Sequence, residues 1–540
     1  MSLLLDRLRW VKNRKMLRTI LTESSPVDFT VVGRTLLHAA IVGAAAGLVG
    51  AAFFAGLEYL QRLLLEDLGG YHMLRAAGEN FLPEDTRTHV FRPWLLVLLP
   101  AVGALASGII SQLAPETRGG GGDAMINAFH HHGGFIRKRV IWVKALASLF
   151  TLGSGGSGGR EGPTMQIGAA LGSRVGWLLR TSPSERRILM VAGVAAGIAA
   201  VFRTPLGAAL LAVEVLYRDD FESEALIPAV LASVVAYSVV ISIFGESTLF
   251  AQPSRFPFVP RHLPLYGVMA ILVALLAIVF VRTMRTVQGI SGRMTIPEWA
   301  KPAVGGLALG VFAVPLVLVV GWQVGQPGQG LGLLGGGYGA VQMAISGATW
   351  LPSGWSAVAL LAGLCVAKLF AASLTIGTGG SAGDFAPSLV IGGLFGGAFG
   401  RTVQLLWNDP HINPAAFSLI AMGTFYGGLA HAPLSSMIIV CELAGSYDLL
   451  VPLMLAEGIG FIALRHHSLY HAQLPTRRQS PAHRDDSGLI VVPPLRAEGQ
   501  PPSPPASAPP AGPPQAAVAT GSGEGDGRDP APSRSQSDES

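Results

Sequence analysis

The chain has 540 residues, of which 50% are hydrophobic and only 13% are charged, and its formal net charge is +5. Soluble domains carry about 25% charged residues, so this composition excludes an ordinary soluble protein and predicts an integral membrane protein. The small positive charge lies towards the two ends of the chain, which indicates membrane topology and gives no reason to expect a nucleic-acid partner.

Basic residues are interleaved with Leu, Trp and Val over residues 1–32, which predicts an amphipathic cytoplasmic helix on the inner membrane surface. Apolar segments follow in two series, at about 34–60, 93–113, 139–152, 163–180, 188–218, 225–244 and 263–284, and then at about 300–321, 336–347, 355–376, 386–407, 415–430, 431–444 and 449–464. Several are too short to cross a hydrocarbon core of about 30 Å, which is typical of discontinuous helices around a site at the membrane midplane.

The C-terminal region is basic over 465–484, so we expect this end of the chain to be cytoplasmic as well. Residues 476–540 are rich in Pro, Ala and Ser and have little to bury, which predicts a disordered tail. Residues 33–475 are therefore predicted to form a membrane domain whose chain crosses the bilayer several times.

A glycine-rich run occupies 151–172 and contains Gly159-Arg160-Glu161-Gly162-Pro163. Pro163 suits the first turn of a helix, and the glycines before it leave backbone N–H groups accessible. Unpaired N–H groups and the positive end of the helix dipole together form an anion site. Glu161 carries an anionic group into that site, so it can occupy the site or be displaced from it.

Three groups of residues recur in the same order in the two halves of the chain. Gly159–Pro163 matches Gly383–Pro387, with the same offsets to the Ile-Gly and Gly positions that follow. Arg203–Leu206, followed by Glu214, matches His431–Leu434, followed by Glu442. Gly119–Gly122 matches Gly335–Tyr338. This order indicates an internal duplication, with halves at about 33–250 and 263–475, and such duplicated halves with broken helices are a transport architecture.

Gly159–Pro163, in this repeat context, resembles the signature of the CLC chloride channel and transporter family, and the resemblance covers roughly 33–475. It implies an all-α polytopic membrane protein with two inverted-topology repeats and broken, tilted helices. It also implies a homodimer in which each subunit has its own chloride pathway, placed in a bacterial inner membrane. The family's pair of soluble C-terminal domains is not expected in 476–540, which is short and polar.

The resemblance assigns roles to individual positions. Glu161 would be the gating and proton-carrying glutamate, and Lys144 falls where the family has a basic residue near the pathway. The anion-binding candidates are Gly120, Gly121, Gly122, Arg160, Gly162, Asp384, Phe385, Ala386 and Tyr470. Gly120 stands where the family usually has serine, so the central anion would lose a hydroxyl donor. No cofactor or metal is expected.

Val215 stands where proton-coupled members have an inner glutamate, next to Glu214. This favours passive, gated chloride conduction, with chloride/proton exchange through Glu214 or water as the alternative and an intramembrane enzyme as a less favoured third. Other interpretations remain beside the functional ones. Asp384 is expected to cap the helix near Pro387, Glu214 and Glu442 to bond backbone across the repeat, and Tyr470 is either an ion contact or an interface aromatic. His130–His132 is expected to be a solvated turn.

Overall fold

The computed structural model describes residues 29–79, 90–251, 255–256, 259–407, 409 and 411–483, with side chains described from residue 33 onward. These residues form α-helices joined by short turns, and within these ranges the only β pairings are isolated bridges. The predicted N-terminal amphipathic helix over 1–32 lies almost entirely outside the described residues, and so does the chain beyond 483.

The described helices fall into two series of eight in the same order. The first series is α1 Phe29–Gln61, α2 Pro93–Ile110, α3 Gly122–His131, α4 Arg139–Gly153, α5 Glu161–Leu178, α6 Pro183–Phe202, α7 Pro205–Glu214 and α8 Leu226–Phe244. The second is α9 Leu263–Arg293, α10 Lys301–Val324, α11 Tyr338–Ser346, α12 Trp355–Gly377, α13 Phe385–Trp407, α14 Pro414–Ala430, α15 Pro433–Ala444 and α16 Leu450–Ala463. The duplication inferred from the three motifs is therefore present at the level of whole helices.

The backbone conformation repeats at matching places as well. The residues before α3 and α11, Gly121 and Gly337, have φ of 90° and 91°, a left-handed conformation that glycine adopts without steric cost. The residues after α6 and α14, Arg203 and His431, have φ of 59° and 53° although neither is glycine. Each then leads within two residues to a proline that starts the next helix.

Among the described residues, seven stretches are long and apolar enough to cross a membrane, by length and composition: Gly33–Leu68, Pro93–Leu113, Ser223–Phe244, Pro260–Arg293, Lys301–Val324, Trp355–Gly377 and Phe385–Trp407. The short helices α3, α7, α11 and α15 have 9 to 12 residues, too few to span. The protein is thus a multi-pass membrane protein with the broken helices that its sequence predicts.

Small residues allow the central helices to approach closely. A Cβ added to Gly168 of α5 would lie 2.0 Å from the carbonyl oxygen of Gly193 in α6, and one on Gly396 of α13 would lie 2.2 Å from that of Phe417 in α14. Glycine at these positions is required because no side chain fits between the backbones, which is how helices pack without a hydrophobic driving force in lipid.

The folded chain continues beyond residue 475, the predicted end of the membrane domain. Arg477–Gln479 and Pro481–His483 form two 3-10 turns. They pack against α3, where Ser480 bonds to His130 across 2.8 Å. The structure therefore has ordered chain at the start of the region predicted as a disordered tail.

Candidate anion pathway

Two glycine-rich loops meet at the centre of the protein. The N–H of Gly159 donates to the carbonyl of Gly383 at 2.7 Å, and the N–H of Gly383 donates back to Gly159 at 2.8 Å. A Cβ on Gly162 would lie 2.6 Å from the carbonyl oxygen of Gly120 and 2.7 Å from Cα of Gly383. The loops of Gly119–Gly122, Gly159–Pro163 and Gly383–Pro387 thus come together around one backbone junction, and only glycine allows them to be so close.

Glu161 is the first residue of α5 and its side chain is fully buried. The hydroxyl of Tyr338 donates to its Oε1 at 2.7 Å, and Nε of Arg160 lies 3.8 Å from the same oxygen. The other oxygen, Oε2, has no hydrogen-bond partner among the described residues. A Cβ on Gly159 would come within 2.2 Å of Oε2, so the carboxyl group fills the space above this glycine.

Arg160 directs its guanidinium to carboxylates on the far side of Glu161. Its terminal nitrogens lie 3.5 Å from Glu58 and 3.1 Å from Glu79, and Arg75 pairs with Glu58 at 3.3 Å. These residues and Tyr338 line a small cavity, here called the outer cavity. The positive charge of Arg160, predicted to help bind the anion, is thus partly neutralised by two buried carboxylates.

A second and larger cavity, of about 320 Å³, lies on the other side of Glu161 and is here called the inner cavity. Its lining includes Gly119–Gly122, Asp384 and Tyr470. The N-termini of α3 and α13 open towards it, and their first N–H groups have no partner within the helix. Glu161 lines neither cavity; its partner Tyr338 lines the outer cavity, and the next residue, Gly162, packs against Gly120 of the inner cavity.

Some of the predicted anion-contact residues line the inner cavity, namely Gly120, Gly121, Gly122, Asp384 and Tyr470, whereas Arg160 lines the outer cavity. The hydroxyl of Tyr470 donates to Oδ1 of Asp384 at 3.4 Å. A Cβ on Gly122 would lie 2.5 Å from Cε1 of Tyr470, so this glycine makes room for the tyrosine ring. Tyr470 is buried and lines the inner cavity, a position unlike that of an interface aromatic, and its contact with an ion stays a prediction.

The expected cap by Asp384 is not formed. Within the described chain, no hydrogen bond joins its carboxylate to the N–H of Ala386, and Pro387 has no N–H to offer. The carboxylate instead bonds to Tyr470, while the backbone carbonyl of Asp384 accepts from Ser388 at 3.1 Å in the first turn of α13. The prediction was wrong because Pro387 removes one of the donors that a capping side chain would use and the carboxylate bonds to Tyr470 instead.

Phe385 and Ala386 open α13 and are both fully buried. A Cβ on Gly159 would lie 3.0 Å from the backbone nitrogen of Ala386, so this N–H is at the junction of the two loops. The Phe385 ring packs between Phe202, at 4.8 Å, and Tyr426, at 4.1 Å. These ring contacts hold Phe385 in place at the start of α13.

Two buried lysines support the glycine loops. Nζ of Lys144 donates to the carbonyls of Thr117 at 3.0 Å and Gly119 at 2.6 Å. In the second half, Lys368 donates to Gly335 at 2.8 Å. Lys368 precedes Pro387 by the same spacing as Lys144 precedes Pro163. This match between the two halves could have identified Lys368 from the sequence, but it was not among the predicted residues.

Glu214 and Glu442 each bond to the first turn of the other's helix. Glu214 accepts from the N–H groups of Leu434 at 3.1 Å and Ser435 at 2.8 Å, at the start of α15. Glu442 accepts from Leu206 at 3.2 Å and Gly207 at 2.8 Å, at the start of α7. These reciprocal caps are the backbone bonding across the repeat that the sequence predicted.

Val215 ends α7 and is fully buried. Its carbonyl accepts from Nε2 of Gln473 at 2.9 Å, and its side chain offers no proton-carrying group. Valine has no ionisable group, so this side chain cannot carry a proton, as the sequence analysis expected.

Three buried residues had no assigned role in the sequence analysis. Tyr338 bonds Glu161, and Tyr426 stacks on Phe385. Glu457 of α16 is 1% exposed, and neither of its oxygens has a hydrogen-bond partner among the described residues. Tyr338 occupies the position in the second half that Gly122 occupies in the first. This replacement of glycine by a large aromatic residue was the feature of the sequence that could have indicated a role for Tyr338.

The predicted solvated turn at His130–His132 is wrong for its first member. His130 is 2% exposed and lies in the last turn of α3. Its Nδ1 bonds to Ser480 at 2.8 Å and its Nε2 to the carbonyl of Leu216 at 3.0 Å. The ring is buried because the chain after residue 475 folds back over it.

Comparison with known families gives a match to the voltage gated chloride channel model over residues 102–465. The protein belongs to this family, known as CLC. The exchange transporter ClcA of Vibrio campbellii, named as an H(+)/Cl(-) exchanger, is 29% identical over 440 residues, covering 80% of this chain and 86% of its own. A ClcA of Yersinia pestis, with the same name, is 27% identical over 424 residues, covering 78% and 82%.

Solved structures share the CLC fold. A slow cyanobacterial Cl-/H+ antiporter superposes with a TM-score of 0.65 at 22% identity, covering 80% of this chain and 94% of its own. A CLC-type fluoride/proton antiporter gives a TM-score of 0.66 at 22% identity, covering 84% and 100%. The fold class expected from the Gly159–Pro163 resemblance is confirmed.

Proposed function

We propose that this CLC protein exchanges chloride for protons across the membrane, with Glu161 as the group that both ions use in turn. The observation that carries the proposal is the position of the Glu161 carboxyl. It is fully buried between the outer and inner cavities, at the N-terminus of α5, where an anion would bind.

The pathway favours an anion of low hydration cost such as chloride. Helix N-termini provide N–H groups and partial positive charge at α3, α5 and α13, and the nearby cations are already engaged. Lys144 bonds two carbonyls, and Arg160 bonds Glu58 and Glu79. Because these cations are directed mainly to other partners and the N–H groups carry only partial charge, we expect the site to bind an anion firmly enough for entry and weakly enough for exit.

Coupling follows from the competition between Glu161 and the anion. An ionised Glu161 occupies the anion position, whereas a protonated Glu161 has lost the charge that holds it at the helix N-terminus. Chloride entry from one side therefore favours protonation, and a proton is carried as the side chain returns. The relatives named as H(+)/Cl(-) exchangers support this mode over the passive conduction that Val215 favours, and transport over an intramembrane enzyme.

Replacement of Glu161 separates the alternatives. In purified protein in liposomes, we expect Glu161→Gln to pass chloride but to move no protons, because glutamine cannot release one. Glu246→Gln, which makes the same change at an exposed position, is the matched control and should behave as the unmodified protein. If Glu161→Gln showed the same chloride flux and the same proton flux as the unmodified protein, the proposed role of Glu161 would be refuted.

We further propose that the chains form homodimers with both termini in the cytoplasm. The basic residues of 1–32 and of 465–484 support this orientation by the positive-inside rule. Accessibility of single cysteines at the two ends, in membrane vesicles of known orientation, tests the topology. Light scattering of the purified protein tests the dimer, and a mass of one chain would exclude it.

A further inference from the structure

We propose that Asp384 is the inner proton-accepting carboxyl of the exchange cycle, in place of the glutamate that Val215 lacks. In its ionised form Asp384 occupies the anion position at the end of the inner cavity, and when it takes up a proton it allows chloride to bind there. This inference rests on the exchange proposed above and adds the group that receives protons from the inner cavity.

Asp384 lies where protons can reach it. It lines the inner cavity of about 320 Å³ and is partly accessible there, unlike Glu161, which is fully buried. Val215 carries no ionisable group, and both oxygens of Glu214 accept backbone N–H groups at the start of α15. Glu116 and Asp123 also line the cavity, but Glu116 pairs with Arg137 and Asp123 accepts the N–H of Ala472. Asp384 is the lining carboxyl that directly follows Gly383 of the loop junction.

The Asp384 carboxylate takes the place that an anion would take. One oxygen accepts the hydroxyl of Tyr470 at 3.4 Å, and a Cβ on Gly120 would lie 3.5 Å from the other. The same hydroxyl and the N–H groups at the N-terminus of α13 are the groups that a chloride ion at this end of the cavity would use. Both anions cannot occupy this space, so chloride binding requires Asp384 to be displaced or neutral.

The charges facing Asp384 come from every element around it. Lys144 on α4 lies nearest among the cations, but its ammonium group is bonded to the carbonyls of Thr117 and Gly119. Asp123 on α3 repels Asp384, while the phenols of Tyr426 on α14 and Tyr470 are neutral. More distant charges that line the cavity are Glu116, Arg118, Arg285 and His471.

This arrangement makes a second ionised group costly. An ionised Asp384 and a chloride ion would add two negative charges next to Asp123, with Lys144 as the nearby cation. Uptake of one proton from inner-cavity water by the carboxylate removes the repulsion. The O–H bond that forms on Asp384 is broken again when the proton passes on by water to the Glu161 carboxylate, next to the Gly159–Gly383 junction.

The first test compares Asp384→Asn with the unmodified protein in liposomes loaded with chloride, at a series of internal pH values. We expect chloride efflux to persist and to lose its dependence on internal pH, and the protons moved per chloride to fall at least tenfold. Asp384→Glu should restore coupling. Asp409→Asn, which makes the same change at a residue paired with Arg261, is the control. An unchanged proton-to-chloride ratio in Asp384→Asn overturns the inference.

The second test does not require transport by the Asp384 variant. Chloride binding to Glu161→Gln protein in detergent is measured by calorimetry in buffers of different ionisation heat, which reports the protons taken up per chloride. We expect chloride-linked proton uptake in Glu161→Gln because Asp384 is still present. No uptake in this background overturns the inference. If instead the unmodified protein moves no protons in liposomes, the proposed exchange fails, whichever result this binding test gives.

Discussion

The hydroxyl of Tyr338 donates a 2.7 Å hydrogen bond to Oε1 of Glu161, and each of these residues is the first of its helix. The Tyr338 ring is held by Phe202 at 6.0 Å and Phe250 at 6.3 Å, so the hydroxyl has little freedom to follow a moving carboxylate. This bond joins the two halves of the duplicated chain. If Glu161 blocks the pathway as proposed above, we expect the bond to stabilise its blocking position.

Replacement of Tyr338 by Phe should weaken that closed state. A hydrogen bond to a charged group contributes about 1.5–3 kcal/mol, and each 1.4 kcal/mol is tenfold in an equilibrium. We therefore expect chloride efflux from Tyr338→Phe at neutral external pH to be about tenfold faster. Because less acid is needed to release Glu161, the external pH of half-maximal flux should shift upward by about one unit.

Tyr266→Phe is the matched control for this experiment. Tyr266 is also buried, but it packs against Phe417 at 4.5 Å, away from the two cavities. It should leave the flux and its pH dependence unchanged. Equal pH profiles for Tyr338→Phe and the unmodified protein would show that the bond does not hold the gate.

The reciprocal caps should be structural. Glu214 and Glu442 each accept two backbone N–H groups, and loss of a helix cap costs about 1–2 kcal/mol. We expect Glu214→Ala and Glu442→Ala to lower the thermal unfolding temperature by similar amounts. Glu214→Gln should keep the proton-to-chloride ratio of the unmodified protein. Loss of coupling in Glu214→Gln, with Glu442→Gln still coupled, would instead assign a proton route to Glu214.

Glu457 should be dispensable for folding. Its side chain is 1% exposed, neither oxygen has a partner among the described residues, and the nearby Ser436 donates to the carbonyl of Gly423. Since a buried carboxyl without hydrogen bonds costs free energy, Glu457→Met should unfold at a temperature equal to or above that of the unmodified protein. Glu222→Met is the contrasting control, because Glu222 is equally buried but bonds Tyr217, Arg477 and His483. A large loss of stability in Glu457→Met would contradict this assignment.

The stability of the protein should fall between pH 6.5 and 4 because of His130. Burial lowers the pKa of His130 from 6.5 to about 4; the hydrogen bond to the Leu216 carbonyl acts against this shift, and the neighbouring His131, His483 and Arg187 add to it. Between these values the unfolded chain takes up a proton that the folded protein excludes, so stability decreases as the pH falls. At pH 5 this proton uptake by the unfolded chain lowers the free energy of unfolding by about 2 kcal/mol.

Thermal unfolding in detergent over this pH range measures the effect. His130→Gln should flatten the dependence between pH 6.5 and 4, whereas His132→Gln, at an exposed position, should leave it unchanged. The same steepness in all three proteins would show that His130 is not the group that titrates.

The repeat made much of the fold predictable. The equal spacings in Gly159–Pro163 and Gly383–Pro387 predicted that α5 and α13 begin near these prolines. This works because proline and glycine have strong positional preferences at helix ends. The pairing of Glu214 with α15 and of Glu442 with α7 also followed from their equivalent positions. Local patterns carry this information because helix starts are set by neighbouring residues.

The contacts across the pathway were not predictable in the same way. Tyr338 and Glu161 are separated by 177 positions, and nothing local indicates that they touch. The expected cap by Asp384 failed for a related reason, since its partner Tyr470 lies 86 positions away. Long-range side-chain pairs depend on how the two halves pack, and the sequence of either half alone does not contain that arrangement.

The most direct test of the account is a transport measurement on the unmodified protein. Purified protein in liposomes is given a chloride gradient without a proton gradient, with the membrane voltage clamped by potassium and valinomycin, and chloride efflux and internal pH are recorded together. The account predicts that protons move against their gradient in a fixed ratio to chloride. Fast chloride efflux with no proton movement would contradict it, and Glu161 would then be the gate of a passive channel.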